Sequence, residues 1–208
     1  MNKTKIEWCD YTWNPITGCT NGCDYCYARK IAMRFDGHFK PTFHRDRLDQ
    51  LAKLKKPSKI FVCSMGDMFD GEAKAEWGQK VLDYCYNNPK HQYFILTKQP
   101  HHIKWYNREV HEQTKNVWLG VSINKQEDLW RIDKLKDNWR GMKFLSIEPL
   151  LEDLGEINLE GISWVIIGGQ TGQKKIIPKR EWVMNIQTQA EERKIPVFLK
   201  NNLGEVKE

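Results

Sequence analysis

The chain of 208 residues predicts an incomplete (β/α) barrel of six or seven parallel strands. Three observations predict it. Short apolar runs rich in β-branched and aromatic residues recur along the chain and fit strands buried on both faces, a trait of parallel sheets. An amphipathic stretch follows each run, and strand starts recur at roughly the span of a βα unit. Finally, nearly every run ends in a polar or glycine-bearing group, which would collect at one rim as in a barrel, whereas a doubly wound sheet would concentrate them at one switch point.

The strand candidates are Ile60–Ser64, Tyr93–Thr97, Val117–Ser122, Lys143–Ile147, Trp164–Gly168 and Pro196–Leu199. A shorter candidate, Glu7–Trp13, precedes them. Trp77, Val81, Tyr84 and Cys85 form one helical stripe, and Val183, Ile186 and Ala190 form another. Leu48, Leu51 and Leu54 step by three up to Pro57, and Leu129, Ile132 and Leu135 do likewise. The polar ends are Ser64-Met65-Gly66-Asp67, Thr97-Lys98-Gln99, Ser122-Ile123-Asn124, Glu148-Pro149, Gly168-Gly169-Gln170 and Lys200-Asn201-Asn202. With no linker or composition shift, residues 1–208 read as one domain, its cysteine-bearing loop near residues 14–28.

Composition narrows the class. No apolar run approaches the length of a membrane span. Six cysteines without a signal peptide argue against a disulfide framework and for a reducing, cytoplasmic setting. The net charge of +6 suits a phosphate-bearing partner such as nucleic acid, although the runs at Lys53–Lys59 and Lys174–Arg180 also read as solvated helix faces. The nine tryptophans stand out: some are candidates for the core and others to line a pocket, since Trp offers a large flat face with one polar edge.

Cys19, Cys23 and Cys26 carry the chemistry, in a Cys-x3-Cys-x2-Cys spacing. Three thiolates this close bind three corners of an iron–sulfur cube and leave one iron open to a small molecule. Glycines before Cys19 and Cys23 let the backbone wrap such a group. The alternative is a structural zinc with Cys9 or His38 as fourth ligand, with His44 near by, in a non-enzymatic nucleic-acid-binding module. Zinc knuckles usually pair two Cys-x2-Cys units, and only one is present here.

Tyr25, just before the last cysteine, makes the loop resemble the signature of the radical S-adenosylmethionine (SAM) superfamily. The runs Trp13–Cys19, Gly22–Ala28, Phe61–Phe69, Leu96–Pro100, Asn116–Ser122, Ser146–Leu151 and Trp164–Gly169 together resemble a small phage-associated family within it that has no settled substrate. Where those relatives commonly show Gly-Gly-Glu-Ser-Gly, this chain has Gly168-Gly169-Gln170-Thr171-Gly172, with no carboxylate at Gln170. The resemblance implies a [4Fe-4S] cluster on Cys19, Cys23 and Cys26. It also implies SAM on the open iron, a 5′-deoxyadenosyl radical that abstracts hydrogen, and an electron donor such as a flavodoxin or ferredoxin. By position it assigns Ser64 and Asp67 to the SAM amino group, Ser122 and Asn124 to the ribose, and Tyr25, Gly168 and Gly169 to the surroundings of the adenosyl group.

Plainer readings stand beside these. Asp67 also suits a turn or N-cap, Ser122 and Asn124 a cap for a helix over Lys125–Leu135, and the two glycines a turn. Lys98, Glu148 and Lys200 each follow an apolar run directly and are candidates for substrate contact; Glu148 with Lys98 or Lys200 equally suits a structural ion pair. Cys63 and Cys85 read as buried thiols, and His101-His102 as the start of a helix. The substrate is open: nucleic acid or a nucleotide is the leading class, from the basic excess, the stacking aromatics and the phage association, with a peptide or small metabolite as the alternative.

Overall fold

The computed structural model describes residues 1–106, 115–172 and 175–207. Lys174, one of the expected basic run, lies outside them. Strands β1 (Asn2–Lys3) and β2 (Tyr11–Trp13) begin the chain, followed by a small pair, β3 (Ile16–Thr17) and β4 (Thr42–Phe43), that encloses helix α1 (Tyr27–Phe35). Then come β5 (Lys59–Val62), α2 (Ala75–Tyr86), β6 (Gln92–Thr97), β7 (Val117–Ser122), α3 (Trp130–Asn138), β8 (Met142–Ile147), β9 (Trp164–Ile167), α4 (Arg180–Glu192) and β10 (Val197–Leu199).

One sheet runs in the order β1-β2-β5-β6-β7-β8-β9-β10. All neighbours from β2 to β10 are parallel; only β1 is antiparallel. The order never reverses, so the sheet has no switch point, in agreement with the polar crown read from the strand ends.

Alternation along the strands separates two faces. Ile60, Val62, Tyr93, Ile95, Leu119, Val121, Leu145 and Val165 join one core with Val81 and Leu82 of α2, Ile132 and Leu135 of α3, and Val183 and Ile186 of α4. The opposite face carries Phe61, Phe94, Trp118, Phe144, Trp164, Ile166 and Phe198, gathered around Trp8. This second cluster reports curvature. The Trp8 ring centroid lies 4.9 Å from that of Phe61 on β5 and 6.1 Å from that of Trp164 on β9. Four strand spacings separate β5 from β9, about 19 Å in a flat sheet, so the sheet curls around Trp8. Gly120 on β7 makes room inside the curve, since a Cβ there would meet the Phe144 ring at 2.6 Å.

The expected strand over Glu7–Trp13 is shortened to Tyr11–Trp13, because residues 7 and 8 turn to send the indole of Trp8 into the concavity. Among the described residues the edges β1 and β10 do not pair. The backbone N–H of Asn201, just after β10, instead donates to both carboxylate oxygens of Glu7, at 3.0 and 3.2 Å. The leucine step of three belongs to a 3-10 helix over Arg45–Lys53, in which residues three apart share a face. The helix expected over Lys125–Leu135 is split into a 3-10 turn at Gln126–Asp128 and α3. Helix α1 directly follows the cysteines and carried no recognised apolar stripe, for its buried residues are only Ala28 and Ala32. No helix among the described residues is long and apolar enough to cross a membrane.

Candidate functional site

The cysteines sit on an excursion between β3 and β4, fastened to the strand ends at several points. Gly18 has φ +87° and packs so tightly that a Cβ would lie 2.1 Å from the Lys40 carbonyl oxygen. Its N–H donates to the Met65 carbonyl at 2.9 Å, and its carbonyl accepts from Asp67 N–H at 3.2 Å. The N–H of Cys19 donates to the Phe39 carbonyl at 3.0 Å. Thr20 donates through its N–H and its hydroxyl to one oxygen of Asp70, at 2.7 and 2.8 Å, and Gln99 Nε2 donates to the same oxygen at 2.9 Å. Asp70 is 1% exposed, so removing it would strand several donors in a dry place. Asn14, directly after β2, accepts from Met65 N–H at 2.9 Å and from the Ser64 hydroxyl at 3.2 Å.

Cys26 ends the loop as the N-cap of α1, its sulfur accepting from Arg29 N–H at 3.3 Å. The Cys19 sulfur accepts from Asn21 N–H at the same distance. Burial, reinforced by the negative charge of Asp67, pushes the Cys19 thiol up to about 12. All three cysteines line one cavity of about 830 Å³, together with the ends of the strands. Trp8, Phe61 and Leu96 contribute to its apolar lining, and Ser64, Asp67, Lys98, Ser122, Ser146, Glu148, Gly169 and Lys200 to its polar lining. Neither Cys9, His38 nor His44 lines it. His44 is instead bonded to the Thr17 hydroxyl at 2.8 Å. Among the described residues no three His, Cys, Asp or Glu side chains are gathered around a single-ion position.

Tyr25 locks the cysteine loop across the cavity to the far strand ends. Its hydroxyl donates to Asn124 Oδ1 at 2.6 Å, and Lys98 Nζ donates to the same oxygen at 2.7 Å while lying 5.4 Å from the centre of the Tyr25 ring. Asn124 Nδ2 donates to the Pro149 carbonyl at 2.8 Å. Asn124 is therefore a junction of three segments rather than a helix cap; the capping carboxylate is Asp128, which accepts from the N–H groups of Asn124 and Lys125. Ser122 is no cap either: it is buried, lines the cavity, and its carbonyl accepts from Arg131 at 2.8 Å. Burial holds the Lys98 ammonium below its ordinary range. A second cavity of about 500 Å³ adjoins, sharing Cys23, Tyr25 and Lys98 with the first and reaching Asn124 and Arg131.

The other expected residues fall at the same rim. Asp67 is buried and accepts from the Thr97 hydroxyl at 2.9 Å and from the N–H groups of Lys98 and Phe69 at 3.0 Å. These bonds tie the segment after β5 to the end of β6, the turn role anticipated for it, and burial raises its pKa despite them. Ser64 accepts through its carbonyl from the Tyr27 hydroxyl at 2.6 Å. Glu148 pairs with Lys200, not with Lys98. Gly168 makes room for that pair, since a Cβ would stand 3.0 Å from Lys200 Cδ and 3.2 Å from the Glu148 carboxyl carbon. Gly169 exchanges backbone hydrogen bonds with the Asn202 amide at 3.1 and 2.8 Å. Cys63 and Cys85 are buried away from the cavity lining, and burial pushes the Cys63 thiol up to about 12. His102 is bonded to the Phe69 carbonyl at 2.8 Å in a short 3-10 helix, and His101 is exposed.

Sequence reasoning gave no role to Asn14, Thr20 or Asp70, and named Gln99 only as part of a polar strand end, yet these four hold the loop. Asn14 and Gln99 do obey the strand-end rule that found the rest of the crown; Asp70 comes a few residues after one such end.

A family model described as "Protein of unknown function (DUF5131)" matches residues 3–208. A search of curated proteins returned no match. Among solved structures, a cysteine-to-serine mutant of spore photoproduct lyase superposes with a TM-score of 0.67 at 12% sequence identity, covering 96% of this chain and 79% of the lyase. A double mutant of the same lyase, described as having bound AdoMet and dinucleoside spore photoproduct, gives a TM-score of 0.59 at 12% identity, covering 92% of this chain and 63% of the other. At such identity the likeness is one of fold.

Proposed function

Because the chain belongs to the DUF5131 family, whose function is unknown, its activity has to be read from the site, and we propose that it is a radical SAM enzyme acting on nucleic acid or a nucleotide. One observation carries the reading: three cysteines in the superfamily's spacing line a single cavity at the C-terminal ends of a curved, singly wound sheet, which we read as an incomplete (β/α) barrel. The fold likeness to a lyase described with bound AdoMet and dinucleoside spore photoproduct supports both the cofactor and the substrate class.

In this reading Cys19, Cys23 and Cys26 hold a [4Fe-4S] cluster. The donor set fits, with three sulfurs on one loop, wrapped at Gly18 and Gly22 where φ is positive and only glycine is at ease. When bound, the cluster with SAM supplies a one-electron cleavage that delivers a 5′-deoxyadenosyl radical to a substrate C–H bond. The protein's own residues orient and seal. Tyr25, fixed through Asn124 and Lys98, sets the position of the loop over the strand ends, and Ser64, Asp67, Ser122 and Gly169, with Asn124 in the adjoining cavity, offer the polar and backbone surroundings of SAM, whereas Gly168 lines neither cavity. Trp8, Phe61 and Leu96 form a dry wall that keeps stray hydrogen donors away. Lys98, Glu148 and Lys200 meet the substrate; the last two are paired with each other at the cavity wall. The electron comes from a one-electron donor of the flavodoxin or ferredoxin class, in a reducing, cytoplasmic setting compatible with six free cysteines.

Metal analysis after anaerobic reconstitution tests this reading. About four irons per chain, with the broad visible absorbance of an iron–sulfur cluster, are expected. One zinc per chain and a colourless protein would replace the enzyme by a binding module.

A further inference from the structure

Helix α1 presents an unusual outer face. Tyr27, Ile31 and Phe35, at i, i+4 and i+8, are 52%, 44% and 75% exposed, while the helix rests on the body through Ala28 and Ala32 alone among its buried residues. Lys30 and Arg34 form the adjacent row, also exposed. From Tyr27 to Lys40 the chain has four cations, Arg29, Lys30, Arg34 and Lys40, against the single carboxylate of Asp36; Asp24 lies just before the helix. None of these cations has an ion-pair partner among the described residues. On α3, by contrast, Arg131 and Lys134 are paired with Asp128 and Asp137.

The face is continuous with the cavity. Tyr27, Lys30 and Phe39 line it, whereas Ile31, Arg34 and Phe35 carry the same surface outward. The Arg34 guanidinium lies 5.6 Å from the Phe35 ring centre, and that of Arg29 lies 5.7 Å from Phe39. Rings and cations thus alternate along one strip leading out of the cavity. A protein interface gathers its apolar residues in a core depleted of lysine. Flat rings interleaved with unpaired cations instead match a strand whose bases stack and whose phosphates need neutralising.

We propose that α1 is the track for single-stranded nucleic acid entering the cavity, with bases stacked on Tyr27 and Phe35 and phosphates on Lys30, Arg34 and Lys40. The proposal rests on the nucleic-acid reading of the substrate given above.

Fluorescence anisotropy with a labelled oligothymidylate about a dozen nucleotides long tests it on the full chain. Phe35→Ala is expected to weaken binding by about five-fold or more, the loss of one base stack. Arg34→Glu is expected to weaken binding and to flatten the log–log salt dependence by about 0.7, the signature of one lost phosphate contact. Both side chains are exposed and outside the cavity lining, so 5′-deoxyadenosine formation without oligonucleotide is expected to be unchanged in both variants. Wild-type protein that cleaves SAM yet does not bind the oligonucleotide, or variants that bind it as well as wild type, would overturn the track alone. So would variants that lose binding of an acidic one-electron donor protein while keeping the oligonucleotide. Failure of SAM cleavage in the wild type with α1-dependent oligonucleotide binding intact would instead overturn the enzymatic reading and leave the track standing.

Discussion

Replacing Cys23 by Ala is expected to reduce the iron bound after anaerobic reconstitution from about four per chain to a small residue. SAM cleavage should fall to background with it. The three sulfurs are not interchangeable with the chain's other thiols. Cys63 and Cys85 are buried outside the cavity lining, and burial keeps the Cys63 thiol protonated. Cys63→Ala and Cys85→Ala are therefore the controls, and both should retain iron while losing only some packing. A Cys23→Ala protein with full iron content would remove the loop from the metal site altogether. Because Cys23 is half-buried on a loop held mainly through Gly18, Cys19 and Thr20, its substitution should leave the fold intact, so circular dichroism separates loss of metal from loss of structure.

Trp8→Ala is expected to be strongly destabilising. The indole is 6% exposed and stands within 4.9–6.4 Å, centre to centre, of the rings of Phe61, Phe94, Phe144 and Trp164. Truncating a buried Trp costs about 3–5 kcal/mol. For a chain of this size that lowers Tm by about 6–20 °C. Trp8→Phe should recover part of the loss, since a smaller ring still fills some of the concavity. The same truncation opens the cavity wall to water, so coupling between SAM cleavage and substrate turnover should fall as well. A Tm change below about 2 °C would contradict the place given to Trp8 as the centre around which the sheet curls.

Much of this architecture was legible in the sequence because it rests on local periodicity. Val117–Ser122 is a strand with the bounds its apolar run gave, and of the Trp77-Val81-Tyr84-Cys85 stripe on α2, Val81 and Cys85 are buried while Trp77 and Tyr84 are partly buried against the core. The rule that strand ends carry the site brought Lys98, Glu148 and Lys200 to one cavity. Interactions between distant segments leave no such trace. Asp70 meets Thr20 across fifty positions, and nothing in either neighbourhood announces the pair. The choice of Lys200 over Lys98 as partner of Glu148 likewise depended on Gly168 leaving space for it. Trp8 read as part of a strand because its neighbours alternate suitably; the demand of the aromatic cluster overrode that propensity. Helix α1 escaped notice because its apolar residues point outward, where a core-seeking pattern does not look.

The most direct measurement is mass-spectrometric quantification of 5′-deoxyadenosine and methionine after the reconstituted protein is reduced anaerobically with SAM. Both products in equal amounts, dependent on reductant and absent from Cys23→Ala, are the expected result. SAM recovered intact from protein with a full iron complement would contradict the assignment.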